Sequence, residues 1–381
     1  MLRLLSLVVG IVSSIVLARL GGPDVKGVAS AFAAANAVGF MVVNFDLTQQ
    51  VLREHRGAEA RGAVLPHLVR AWGWYAAFGA VVLVVGLVGG LPVAWLVVGT
   101  FAFLIGTQAG VAATGLAGVV VSAVGAIVQQ LSLVATTVLL AAMNDLTIDT
   151  VRIGIVVSYL APLLIYLPFL AKSGGYSKGL PRQRIFDLMR RGSLWQVGRL
   201  FQMLIQKIDM LLVFSVLGAS AAGVYSVALS TAMLCSIMPA QFANKVLFDS
   251  TTSAEARHRG AVRAALLSGL ATAVVIGLLG RQGLALLYGP SFAAGYGALL
   301  ACLVGAVAYG VVQVQSIVIR MDGSWRGLAA TSGVGLLVML ACLVVLVPPL
   351  GIVGAGLAFS GGTLTSALAG YFVLHRYRAD V

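Results

Sequence analysis

The sequence predicts an all-α integral membrane protein of twelve transmembrane helices, in two parallel-repeat six-helix lobes around a central cavity. Three observations carry this. Hydrophobic residues make up 60% of the 381-residue chain and charged residues only 10%, with a mean hydropathy of +1.02, whereas soluble domains carry roughly a quarter charged residues. Apolar runs close to the ~20 residues needed to cross about 30 Å of hydrocarbon recur from end to end. The two halves of the chain also match one another without a gap.

Splitting at Gly, Pro and charge clusters gives spans near 2–20, 27–45, 68–89, 91–112, 115–142 and 152–171, then 194–217, 222–246, 262–280, 294–319, 326–347 and 351–374. The polar break "KSGGYSKGLPRQRIFDLMRR" (172–191) separates the two sets of six. The expected organisation is an N-lobe over 1–171, a cytoplasmic connector over 172–192 and a C-lobe over 193–381. No soluble domain has room to exist.

Placing residue n over n + 196 pairs Arg3-Leu4 with Arg199-Leu200 and "GPDVKGVASA" (22–31) with "GASAAGVYSV" (218–227), preserving a G-x4-G-V-x-S pattern. Six spans separate the copies, so the repeat is parallel, with its pseudo-axis along the membrane normal. The opening "MLRLLSLVVGIVSSIVLARLGG" has the ingredients of a signal peptide, but its duplication in mid-chain favours a first membrane span.

The net charge of +13 is explained by topology. Of the 25 Lys and Arg, Arg19, Lys26, Arg152 and Arg281 fall on one side of the expected membrane, Arg199 and Lys207 fall inside a span, and all the others lie on the side of the N-terminus. This bias places both termini in the cytoplasm and removes nucleic acid as the reason for the charge. Cys235, Cys302 and Cys342 stand alone in apolar runs and read as small hydrophobes. The four His lie in or beside cytoplasmic loops without metal spacing, and no nucleophile, phosphate loop or pair of catalytic carboxylates stands out, so no enzyme and no cofactor is expected.

Four segments carry a resemblance: "SSIVLARLGGPDVKG" (13–27), "QKIDMLLVFSVLGASAAGVYSVALS" (206–230), "LLYGPSFAAGYGAL" (286–299) and "VPPLGIVGAGLAFS" (347–360). Together they resemble the polysaccharide-biosynthesis flippases, relatives of the lipid II flippases and of the multidrug and toxin extrusion exporters. The chain departs from that pattern in its fifth-to-sixth connection, "MNDLTIDT" (143–150), which lacks the Gly-rich form seen at 351–356. The resemblance implies a bacterial inner-membrane carrier that moves an undecaprenyl-diphosphate-linked oligosaccharide outward by alternating access. The expected partners are that lipid-linked oligosaccharide, membrane lipids, and a glycan polymerase with glycosyltransferases. The rival readings are an H⁺- or Na⁺-coupled small-molecule exporter of the multidrug and toxin extrusion type, and a non-transporting scaffold in a glycan-assembly complex.

An anionic head crossing an apolar slab calls for cations and hydrogen-bond donors in a lumen closed to lipid. Arg199, Gln202, Gln206 and Met210 fall on one helical stripe, with Lys207 beside it. That stripe either lines the lumen or leaves Arg199 snorkelling while the glutamines join helices. Its repeat counterpart is Arg3, Ser6, Gly10 and Ser14. Tyr309, Gln313, Ser316 and Arg320 form a second polar edge, read either as lumen or as a helix-packing face. Arg19 is a candidate phosphate contact at the outer turn, or an interfacial partner of Asp24, with Lys26 on the far side of that turn. Asp46, with Asn44, Gln49 and Gln50, is either an inward gate or a solvated loop start. Lys207 and Asp209 lie about 200° apart around the helix and need separate surroundings. Lys207 is assigned to the substrate, and Asp209 to a coupling ion (H⁺ or Na⁺) or to a tie between helices.

Overall fold

The computed structural model describes residues 2–44, 94–172, 182–247, 254–321 and 324–379, together with isolated helical positions between 69 and 83. The span expected near 68–89 therefore lies largely outside the described residues, as does 173–181 of the expected connector, whose remainder from Arg182 onward is helical and runs on into the helix that follows. Those described are almost wholly helical: α1 (Leu2–Val43), α2 (Ala94–Ala117), α3 (Val119–Ala142), α4 (Ile148–Leu160), α5 (Leu163–Lys172), α6 (Arg182–Leu247), α7 (Ala254–Tyr288), α8 (Tyr296–Met321) and α9 (Trp325–Ala379). Among the described residues, eight helical stretches are long and apolar enough to cross a membrane. In hydrocarbon a backbone amide has no water to bond, so a sequence this apolar must satisfy its amides within each segment, and the helix does so. The protein is a multi-pass membrane protein.

Three of the eight stretches, Leu5–Val43, Trp195–Ile237 and Trp325–His375, have about twice the length one crossing needs. Each is interrupted by a glycine with positive φ: Gly22 (69°), Gly218 (86°) and Gly351 (57°). Side chains rarely adopt this conformation, and glycine does so without a steric penalty. Gly22 and Gly218 are repeat equivalents, and their ψ values also agree, at −173° and −180°.

The chain divides into two compact units, Met1–Gly21 with Phe32–Gln196, and Gly22–Ala31 with Val197–Val381. In the first, Asn44 accepts a bond from Gln108 Nε2 (3.1 Å), Gln108 Oε1 accepts from Trp72 Nε1 (2.9 Å), and Tyr75 donates to the Asn44 carbonyl (3.0 Å). Gln196 reaches the Met41 carbonyl. The loop before α4 is closed by a reciprocal capping box between Thr147 and Thr150, with Asn144 at φ 54° in the turn, which stops one helix and starts the next without glycine.

In the second unit small residues permit close helix contact. Gly305 N donates to Ser360 Oγ (2.8 Å), and the same hydroxyl donates to the Ala301 carbonyl (2.5 Å), tying α8 to α9. The 286–299 motif becomes a turn at Gly289 (φ 117°), a 3-10 helix over Pro290–Gly295, and the start of α8. The segment Gly22–Ala31 also belongs here. A methyl group on Gly27 would run into the Ala219 carbonyl and come within 2.8 Å of Gly223 N. One on Gly223 would run into the Pro23 carbonyl and come within 3.0 Å of Gly27 N.

Candidate functional site

The two polar stripes of the second unit meet each other. On α6, Gln202 and Gln206 are one turn apart and half-buried. Gln202 Nε2 donates to Ser316 Oγ on α8, Gln206 Nε2 donates to the Tyr309 hydroxyl, and Arg320 Nη2 donates to Gln202 Oε1 at 3.4 Å. The Gln202 amide is thereby oriented at both ends, and Gln313 lies against the Tyr309 hydroxyl. The glutamines do join helices, and the same line of side chains ends in the exposed Arg320 and the half-buried Arg199.

Further along α6, Asp209 turns away from the seam and is fully buried. Its Oδ2 accepts a 2.5 Å bond from the Tyr225 hydroxyl, and its Oδ1 accepts a 2.7 Å bond from Met210 N. Tyr225 is itself fully buried and lies beyond the Gly218 interruption, against Cys302 of α8. The carboxylate therefore joins the two arms of α6 on either side of their kink. Among the described residues Lys207 makes no direct ion pair with Asp209. It is half-buried and acts on Asp209 only through space.

The remaining candidates fall elsewhere. Arg19 is exposed, as is Asp24, while Lys26 is buried at 9% exposure. Asp46, Gln49 and Gln50 lie outside the described residues, and Asn44 is held in the network with Gln108. Of the helix-one counterparts, Ser6 and Ser14 are half-buried and Gly10 packs on Gln130. Cys235, Cys302 and Cys342 are free thiols. Among the described residues no group of three or more His, Cys, Asp or Glu side chains is placed to hold a metal.

Sequence reasoning missed Tyr225 and Cys302. A signal for Tyr225 was present, because it stands where the first repeat has Ala29, just as Asp209 stands over Ser13 and Lys207 over Ile11. Where two copies otherwise agree, the positions at which one copy alone becomes polar mark its specialised chemistry.

No family model and no curated protein matches the chain. Among solved structures the fold is that of membrane flippases and exporters. The chain is similar to the lipid II flippase MurJ in its inward closed conformation, with 12% identity, a TM-score of 0.77, and coverage of 98% of this chain and 86% of that one. It is also similar to the MATE transporter VcmN of Vibrio cholerae, in a point-mutant form, with 14% identity, a TM-score of 0.68, and coverage of 100% and 97%. A third similar structure is a multidrug resistance transporter of the MATE family in its inward-facing conformation, with 15% identity, a TM-score of 0.64, and coverage of 98% and 95%. That transporter is described as a member of the MOP superfamily, whose fold this chain has.

Proposed function

We propose that the protein is a flippase that carries a polyprenyl-diphosphate-linked oligosaccharide across the bacterial inner membrane by alternating access. It acts by moving its substrate and makes or breaks no bond in it. The chain crosses twelve times, eleven of them in the eight described stretches with the three long interrupted helices counting twice and the twelfth in the span expected near 68–89, in two six-helix lobes with both termini cytoplasmic. The observation that carries this reading is the inventory of charge within the second unit's helices. Arg199 and Arg320 flank two glutamines of one seam and Lys207 follows Gln206 on the same helix, while the nearby carboxylate, Asp209, is withdrawn into a buried bond with Tyr225. Cations and amide donors suit a diphosphate and glycan hydroxyls. An exporter of cationic drugs would need the opposite balance. Lys207 and the seam meet the substrate head, Arg19 meets it near the outer side, and Asp209 serves as a coupling-ion site or as a structural tie. Glycosyltransferases supply the substrate and a polymerase consumes it.

The test is reconstitution of the purified chain in liposomes. Fluorescent undecaprenyl-diphosphate sugars should cross in its presence, measured by loss of accessibility to an impermeant quencher, and cationic dyes should not be transported. Dye transport driven by a pH or Na⁺ gradient, without lipid movement, would replace this reading with drug export.

A further inference from the structure

A second polar site lies in the first unit, apart from every residue used above. A cavity of about 250 Å³ opens among α2, α3, α4 and α5. Phe103 and Thr107 line it from α2, Ser122 and Gln129 from α3, Tyr159 from α4 and Tyr166 from α5. Its shape is set by glycines. A methyl on Gly125 would collide with the Tyr166 hydroxyl, one on Gly110 would press on the same ring at 3.2 Å, and one on Gly106 would meet the Tyr159 carbonyl. Phe103 meets the Tyr159 ring edge-on, with centroids 4.8 Å apart at 66°, so the aromatic wall is fixed in place.

Among the described residues the side chains of Thr107, Ser122, Gln129 and Tyr166 have no hydrogen-bond partner, although all four line the cavity. Neighbouring hydroxyls behave differently: Thr114 donates to the Gly110 carbonyl at 2.7 Å. The polar atoms of the four are not sealed off but stay accessible in the cavity, so together they offer hydrogen bonds to a polar occupant. Among the described residues none that lines it is charged. That removes a phosphate, which would want a cation, and a cationic drug, which would want a carboxylate. The volume also lies below the roughly 300–1,000 Å³ of drug-sized sites. Neutral hydroxyl and amide groups beside a fixed aromatic wall, in a space of this size, match one sugar ring, with its hydroxyls on the rim and C–H groups against the rings.

We propose that this cavity is a subsite for one neutral sugar ring of the lipid-linked glycan, separate from the cationic seam that meets the diphosphate. The inference rests on the flippase reading. It is tested with the full chain in lipid nanodiscs, by competition against a fluorescent undecaprenyl diphosphate. The competitors are undecaprenyl diphosphate, the same lipid bearing one glucose, galactose, N-acetylglucosamine or N-acetylgalactosamine, and each free sugar. At least one glycosylated lipid should bind about tenfold more tightly than the bare lipid, the gain of a hydrogen bond or two. Thr107→Val and Gln129→Leu should each erase that advantage while the bare lipid binds as before, which also reports that the variants are folded. If no sugar adds affinity, or the variants keep the advantage or lose both lipids equally, the subsite is refuted while the flippase reading stands. Free sugars competing as well as their lipid-linked forms would also overturn it, by assigning the cavity to soluble sugars. A wild-type chain that binds neither lipid removes the flippase reading and the subsite together.

Discussion

Gly27 and Gly223 each occupy the space that a side chain on the other would need, and they are the same position in the two halves of the sequence. The contact is reciprocal: Pro23 and Ala219, also repeat equivalents, supply the carbonyls that close it. A self-complementary contact between equivalent residues is what a two-fold relation between repeats produces.

Alanine at either glycine should therefore cost more than alanine elsewhere. Gly27→Ala and Gly223→Ala force backbone apart and should each destabilise the protein by about 1–3 kcal/mol. A methyl group added at Gly283, in α7, would meet no atom within 4 Å, so Gly283→Ala should be neutral or gain up to about 1 kcal/mol of helix propensity. Thermal unfolding in detergent separates the cases. Equal stability of all three variants would mean that the glycine contact is not needed.

Transport should require this contact to open. Asp24 and Ser220 are exposed repeat equivalents flanking it. In a background with Cys235, Cys302 and Cys342 replaced by Ala, the pair Asp24→Cys and Ser220→Cys should form a disulfide that halts flipping, with recovery on reduction. A formed cross-link that leaves flux intact rules out motion here.

Along the seam, stability and flux should part company. A double-mutant cycle of Gln206→Leu and Tyr309→Phe should give a coupling of about 0.6–1.7 kcal/mol, the range of hydrogen bonds between membrane helices. Arg199→Ala and Lys207→Gln, in contrast, should keep normal stability and lose roughly tenfold to a hundredfold in flipping rate, the value of a charge-assisted contact of about 1.5–3 kcal/mol. Wild-type rates in both would return these cations to a snorkelling role.

Asp209 and Tyr225 should not be equivalent in mutation. Tyr225→Phe strips a buried carboxylate of its side-chain donor, leaving only Met210 N, and should cost about 1–3 kcal/mol, whereas Asp209→Asn keeps an acceptor and should cost less. If Asp209 also couples an ion, Asp209→Asn should flip lipid at a rate independent of Na⁺ and pH over a range where the wild type responds. An unchanged ion response leaves Asp209 as a tie alone.

Composition, the positions of the apolar stretches and the glycine interruptions were legible in the sequence, because the bilayer imposes them locally. A span must be apolar for about 20 residues and must satisfy its own backbone, and both demands are met within a segment. The pairing of Gly22 with Gly218 was visible for the same reason, since a positive φ selects glycine in each copy. The candidate stripes on α6 and α8 were visible as periodicities.

Tertiary structure decided what each stripe faces. Whether Gln202 looks into a lumen or at Ser316, and whether Asp209 finds Tyr225 or Lys207, depends on the rotation and register of helices far apart in sequence. Helical periodicity places a residue on a face without saying what packs there. The cavity lined by Thr107, Ser122, Gln129 and Tyr166 escaped sequence reading because its residues are neutral and scattered over three helices. Such groups look like ordinary helix-packing residues until packing brings them together and leaves them unpaired.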